Sequence, residues 1–226
     1  MGYAMNEEQH QVLRRQMMQV ISIYVEHASN ETGKEQLDSR VQEVIGNVPR
    51  HEFVPCEMRP YAYFDGPLPI GYEKTISQPF IVALMTDLLE VDEENTVLEV
   101  GTGLGYHAAI LAGLAEKVFT VEIVEELAVQ AKENLRRLGY DNIEMKVGNG
   151  STGWPEHAPF DNILVAAAPE IIPPSLINQL KPGGKMVVPA GIADAQQLML
   201  VEKSDSGKLS TKEIIPVRFS PLEVIN

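Results

Sequence analysis

The sequence predicts an α/β fold, doubly wound around a mostly parallel seven-stranded sheet, with a helical and irregular N-terminal region over the ligand edge. Three observations carry this. The apolar run Val97 to Val100 enters a turn with glycines at 101, 103 and 105, and an alanine-rich segment follows. From Asn95 onward, apolar runs of strand length alternate with segments of helical spacing, the pattern of βαβ units. An acid, Glu122, ends the next apolar run 21 residues after Gly101, the spacing at which nucleotide-binding α/β folds carry a carboxylate.

Taken in order, residues 5 to about 27 read as a helix with Val12, Met17, Val20, Ile21 and Tyr24 on one face. Residues 28–36 are polar, contain Gly33 and read as a loop. A short helix is expected around Ser39 to Gly46, then an irregular, proline-rich stretch to Gly71, then a helix over Phe80 to Leu89. The strands are expected at Thr96–Val100, Lys117–Val121, Ile143–Val147, Phe160–Val165, Lys185–Val188, Gln197–Glu202 and Lys212–Phe219. Pro216 marks the last as an edge strand or one that ends early. The helix after Glu122 has Glu125 and Glu126 in its first turn, Arg136 and Arg137 in its last, Gly139 as a stop, and Glu133 paired with Arg137 one turn apart. Pro173 to Leu180 is a shorter helix. The division is residues 1–94 as an N-terminal, substrate-cleft region and 95–226 as the nucleotide-binding core, together one compact unit.

Composition bounds the function. The 226 residues carry a net charge of −14, which argues against nucleic acid or an anionic membrane as the main partner, since both need Lys and Arg clusters. One cysteine, Cys56, excludes an internal disulfide and fits a reducing compartment, so the expected location is cytoplasmic. No apolar run approaches membrane-spanning length, and the first six residues lack the regions of a signal peptide and the pattern for myristoylation. The histidines at 10, 27, 51, 107 and 157 show no metal-ligand spacing, and no metal is expected. His51 reads as a packing or hydrogen-bonding residue, Arg50 as a surface or docking charge, and Trp154 as core or pocket wall.

The glycine turn supplies the chemistry. Glycines let the chain turn sharply and approach a ligand closely, and the first N–H groups of the following helix face an anion. The spacing is not the dinucleotide fingerprint, whose third glycine would fall on Tyr106. Glu99 to Gly105 is E-x-G-x-G-x-G, which resembles the cofactor loop of S-adenosylmethionine-dependent methyltransferases, a Rossmann-like class. That resemblance implies that the loop (Gly101, Thr102, Gly103, Gly105) receives the methionine part and that Glu99 holds its ammonium. Glu122, with Ile123 beside it, is expected to accept from both ribose hydroxyls.

Further segments narrow the resemblance. Val48-Pro-Arg-His-Glu-Phe-Val-Pro55, Tyr63-Phe-Asp-Gly-Pro-Leu-Pro-Ile-Gly71, Thr75-Ile-Ser-Gln-Pro79, Tyr106-His-Ala-Ala, Ala166-Ala-Ala-Pro169 and Gln179-Leu-Lys-Pro-Gly-Gly184 are similar to protein-L-isoaspartate O-methyltransferases over roughly residues 40–222. The resemblance implies methylation of the abnormal carboxylate of L-isoaspartyl residues in damaged proteins and peptides, which then close to a succinimide. It implies Ser77 beside the acceptor carboxylate, with Thr75 and Ile76 at the cofactor, and no metal. Ser77 equally suits the N-cap of the helix that Pro79 begins. Asn149-Gly150 stands where the family has Asp-Gly facing the adenine, so the amide oxygen of Asn149 is the expected acceptor there. The polar stretch Asn30–Gln36 looks like an insertion. A monomer is expected, with the N-terminal region as the place where an oligomer would form.

Three other readings remain at this level. One is a methyltransferase with the same cofactor and a specific peptide or small carboxylate as acceptor. Another is a nicotinamide-dependent oxidoreductase, against which Tyr106 and about 95 residues before the first core strand both count. The last is a non-catalytic binding protein on the same fold.

Overall fold

The computed structural model describes residues 5–224, so the signal and myristoylation readings at residues 1–4 lie outside it. Seven strands form one sheet: β3 (Thr96–Val100), β4 (Lys117–Glu122), β5 (Ile143–Val147), β6 (Phe160–Val165), β7 (Leu180–Ala190), β8 (Gln196–Lys203) and β9 (Leu209–Val217). Their order across the sheet is β5-β4-β3-β6-β7-β8-β9. The first five pair in parallel, and β8 and β9 are added antiparallel. The chain steps outward from β3 to β5 and then returns to the other side of β3 with β6. That reversal leaves a crevice at the carboxyl ends of β3 and β6, where open α/β sheets bind ligands.

Alternation along the strands builds two apolar layers. Val97, Val118, Leu164 and Val187 face the larger one, which holds α1 (Glu7–His27), α3 (Ser39–Asn47), α4 (Pro79–Leu89), α5 (Tyr106–Ala112) and α6 (Glu125–Arg137). Leu98, Val100, Phe119, Val121, Ile163 and Val165 face the other, which holds α7 (Pro174–Gln179) and Trp154. The larger layer runs from Met17 to Ile214, so the N-terminal helices and the sheet share one interior.

Several elements differ from the sequence reading. Residues 28–36 contain a one-turn helix, α2 (Ser29–Thr32), stopped by Gly33 in the left-handed region. Lys34 then pairs with the buried Asp87 carboxylate at 3.0 Å, and Asp87 also accepts from the N–H of Asp38 at 2.6 Å, so this polar stretch is anchored to α4. The irregular region contains two 3-10 helices, Arg50–Phe53 and Cys56–Tyr61, and a small hairpin of β1 (Leu68–Gly71) and β2 (Lys74–Ile76). The buried face of α1 is His10, Arg14, Met17, Ile21 and Val25, while Val12, Val20 and Tyr24 are exposed. His10 and Arg14 take the first two turns of that stripe because a polar cluster waits there. His10 stacks on His51 at 3.7 Å, and the Tyr63 hydroxyl meets His51 Nδ1 at 2.7 Å and Arg14 Nε at 3.3 Å. On α6, Arg137 reaches across to Glu52 at 2.8 Å rather than pairing with Glu133.

Candidate active site

A cavity of about 520 Å³ opens at the carboxyl ends of β3, β4 and β6. Of the expected site residues, Thr75, Ser77, Gly101, Gly103, Glu122, Ile123 and Gly150 line it. Ile76, Glu99, Thr102, Gly105 and Asn149 do not.

The glycine turn behaves as its spacing requires. Gly101 and Gly105 have φ near +95 and +97, a region that L side chains rarely adopt. Gly105 caps α5, and a Cβ on it would come within 3.1 Å of Leu135 on α6. Glu122 fixes the turn from the neighbouring strand. One carboxylate oxygen accepts from the N–H of Gly103 at 2.7 Å, the other from Ile123 at 2.9 Å and Val124 at 3.0 Å. A carboxylate has about four acceptor sites, so roughly one remains where two ribose hydroxyls were expected.

Glu99 is placed differently from the sequence expectation. It is paired across the ladder with Thr120, both facing the larger apolar layer, and it is 0% exposed. Thr120 donates to its carboxyl at 2.5 Å and lies 2.5 Å from the Thr102 hydroxyl, so the three form a buried chain under the glycine turn. Burial lifts the Glu99 carboxyl to about 8, the Thr120 hydroxyl partly opposing this and the Glu122 charge adding to it. Among the protein's own groups it is therefore mostly an uncharged acid at neutral pH, and it lies behind the loop, outside the cavity lining. Asn149 lies outside the cavity lining, and its Oδ1 accepts from the N–H and the hydroxyl of Ser151 at 3.0 and 2.7 Å, capping a 3-10 turn. Ile76 is buried in β2.

Ser77 is not the cap of α4. The cap position is Gln78, without a side-chain capping bond, and Asp65 does that work from a distance. Its carboxylate accepts from Phe80 N–H at 3.0 Å and from the Gln78 amide at 2.6 Å. The Ser77 hydroxyl is therefore left without a hydrogen bond among the described residues, half-buried in the cavity wall. Its carbonyl accepts from Arg50 Nη2 at 2.7 Å. Arg50 is fully buried, which overturns the surface-charge reading. His51 is a hydrogen-bonding residue whose imidazole burial pushes down to about 4, with His10 adding to the effect.

The sequence reading missed one whole wall. Residues 216–223, the end of β9 and the segment after it, run along the cavity. They are held by Gln196, which bonds both backbone groups of Phe219, and by Ala168, which bonds Ser220 and Leu222 at 2.8 Å each. Lys74 on the hairpin closes an ion pair with Glu223 on this strap, and both line the cavity. The available signal was Arg218, a cation inside an apolar run of a strongly acidic chain. No histidine lines the cavity, and among the described residues no three His, Cys, Asp or Glu side chains cluster to hold a metal ion. Among them, too, no helix is long and apolar enough to cross a membrane.

Comparison with known proteins agrees with this architecture. Residues 26–224 match the model of the protein-L-isoaspartate(D-aspartate) O-methyltransferase family. Protein-L-isoaspartate O-methyltransferase 1 of a Polaromonas species is 59% identical over 222 residues, covering 98% of this chain and 94% of the relative. Protein-L-isoaspartate O-methyltransferase 2 of Syntrophobacter fumaroxidans is 56% identical over 210 residues, covering 92% and 85%. A solved protein-L-isoaspartate O-methyltransferase superposes with a TM-score of 0.77 at 28% identity; the match spans 92% of this chain and 65%, just under two thirds, of that one. A Plasmodium falciparum protein crystallised with S-adenosyl-L-homocysteine shares the fold, at 23% identity and a TM-score of 0.77 over 95% of this chain and 98% of its own. With the family model matched along most of its length and relatives above half identical across nearly all of it, the chain belongs to the protein-L-isoaspartate(D-aspartate) O-methyltransferase family.

Proposed function

We propose that this protein transfers a methyl group from S-adenosylmethionine to the free carboxylate of L-isoaspartyl residues in damaged proteins and peptides. The observation that carries the residue assignment is the uncommitted hydroxyl of Ser77, in the wall of the same cavity as the glycine turn and Glu122. The close relatives' names support the substrate class.

The residues fit the cofactor. Gly101 lies where a Cβ would already touch Ala166 at 3.4 Å, so the backbone forms a close-fitting floor. Glu122 keeps one acceptor site for a ribose hydroxyl at the far end. When bound, S-adenosylmethionine supplies a methyl on a sulfonium, whose carbon–sulfur bond breaks to leave a neutral thioether. The acceptor carboxylate has an ordinary pKa near ~4, so it is ionised at neutral pH and no proton has to be removed. An absence of histidine from the cavity is no obstacle to that chemistry. Ser77 positions the acceptor. Its hydroxyl donates to one carboxylate oxygen and leaves the other free, aimed along the axis toward the methyl carbon. The strap 216–223 and the hairpin exclude water from that line. The ester product closes to a succinimide without further help from the protein, as the neighbouring backbone nitrogen attacks the ester carbonyl, loses its proton and displaces methanol.

In this reading residues 1–94 supply the acceptor side and 95–226 the cofactor side of one catalytic unit. It acts as a monomer, because one chain builds the whole cavity, and without a metal. We place it in the cytoplasm, which the single, exposed Cys56 suits.

The test is methyl transfer from labelled S-adenosylmethionine to one peptide in isoaspartyl and normal aspartyl forms. Transfer to the isoaspartyl form alone is expected. Ser77→Ala should lower kcat by about 100-fold, the range of a lost positioning contact, with S-adenosylmethionine affinity within about threefold. Equal labelling of both forms, or of neither, refutes the assignment of substrate.

A further inference from the structure

Among the described residues Arg50 is the largest fully buried side chain that carries a charge, and no carboxylate lies within ion-pair distance of it. Asp65 acts on it only beyond ion-pair distance, and a guanidinium taken out of water without an ion-pair contact is expensive, so its partners matter. They are two backbone carbonyls and an aromatic face. Nε donates to the carbonyl of Ala62 at 2.8 Å, and Nη2 donates to the carbonyl of Ser77 at 2.7 Å. The guanidinium carbon lies 4.8 Å from the centroid of the Tyr106 ring. Tyr106 is the first residue of α5, directly after Gly105 of the glycine turn.

The position of Ser77 makes this contact consequential. α4 begins at Pro79, so the Ser77 carbonyl lies before the helix and has no place in its hydrogen-bond ladder. Asp65 holds the next residues, Gln78 and Phe80, from one side. Arg50 holds the Ser77 peptide from the other, while its fork rests on the helix that the cofactor loop starts.

We propose that Arg50 is a positioning residue for methyl transfer: its fork fixes the Ser77 peptide against Tyr106 and so sets the distance between the acceptor-holding hydroxyl and the glycine turn. This rests on the assignment of Ser77 to the acceptor. Arg50 does not line the cavity and touches neither reactant. Its effect is on alignment, where a shift of about 1 Å lowers rate by about 100-fold.

The test is a double-mutant cycle between Arg50→Lys and Ser77→Ala. Single-turnover methyl transfer to an isoaspartyl peptide is read at saturating S-adenosylmethionine, with Tm and the Kd for S-adenosylhomocysteine measured on each protein. Lysine keeps the charge but is a point donor without the planar fork. Arg50→Lys is expected to slow transfer by about 10- to 100-fold, to leave the S-adenosylhomocysteine Kd within about threefold, and to add nothing in the Ser77→Ala background. An equal loss in both backgrounds makes Arg50 a structural residue and overturns the proposal. If Arg50→Lys does not fold, Tyr106→Leu takes its place, since it keeps both carbonyl bonds and removes the face under the fork. A loss confined to proteins with Ser77 supports the proposal; no loss, or an equal one, overturns it. Full turnover by Ser77→Ala alone removes the serine from the site and the proposal with it, a result read separately from the arginine arm. Failure of the unaltered protein on the isoaspartyl peptide, with S-adenosylhomocysteine still bound, would instead locate the fault in the substrate assignment.

Discussion

Replacing Glu99 with glutamine removes a titration while nearly keeping a shape. Glu99 is fully buried, its only hydrogen-bond partner is Thr120 at 2.5 Å, and its second oxygen has none among the described residues. Its carboxyl is raised from 4.5 to about 8, chiefly by burial. Between those values the folded protein holds a proton that the unfolded chain has released. Stability from this group is therefore full below pH 4.5 and is lost as pH rises through about 8. At about 1.4 kcal/mol per pKa unit, the loss is at most on the order of 5 kcal/mol, a large share of a typical domain's stability. Glutamine mimics the protonated acid: its amide oxygen accepts from Thr120, which still reaches Thr102. It leaves the buried amide nitrogen unpaired at the place of the second carboxyl oxygen, at about 1–3 kcal/mol. Urea unfolding at pH 5.5, 7 and 9 should thus show Glu99→Gln slightly less stable than the parent at pH 5.5. By pH 9 the difference should shrink and reverse, with unchanged m-values. Parallel pH profiles of the two proteins would refute the buried neutral acid.

The other expected outcomes follow from single contacts. A Cβ on Gly150 would lie 2.3 Å from Val100 Cγ1, so Gly150→Ala should cost about 1–3 kcal/mol by overpacking and weaken S-adenosylhomocysteine binding, since both residues line the cavity. Unchanged Tm and Kd, measured by melting and calorimetry, would show that the turn yields freely. Burial, with a smaller contribution from Arg50, lowers His107 from 6.5 to about 3, so its contribution to stability is present above pH 6.5 and is lost as pH falls toward 3. His107→Gln should keep the bond that Nε2 makes with Thr86 Oγ1 at 2.9 Å and flatten the fall in Tm between pH 7 and 4; an equally steep fall would assign acid unfolding to other groups.

The parts of the fold legible in the sequence were those in which local pattern and burial agree. Thr96–Val100, Ile143–Val147 and Phe160–Val165 are apolar or alternating runs bounded by turn residues, and they are strands over those spans. The β1–β2 hairpin was hidden because its strands have four and three residues and its turn places Tyr72 and Glu73 at positive φ, instead of the asparagine and glycine that usually mark such turns. At the site, the glycine turn and Glu122 were readable from spacing because one βαβ unit brings them together. Arg50, the Asp65 cap and the strap 216–223 were not, because each acts on residues far away in sequence: Ser77, Phe80 and Ala168. The E-x-G-x-G-x-G pattern placed Glu99 at the end of its strand, but only the sheet shows that it pairs with Thr120 and stays out of the cavity lining.

Lys74 and Glu223 stand 149 residues apart in the chain and meet at the rim of one cavity. A ligand spanning that rim would touch the β1–β2 hairpin and the segment after β9 at once, so the cavity is whole only when the last antiparallel strands have been added to the sheet. Occupancy and global folding then become a single mass-action equilibrium. At a ligand concentration about 100 times its Kd, the entire domain, rather than one lobe, gains about 2.7 kcal/mol. On the proposed function, the supply of methyl donor would in this way protect a protein that mends ageing chains against its own unfolding.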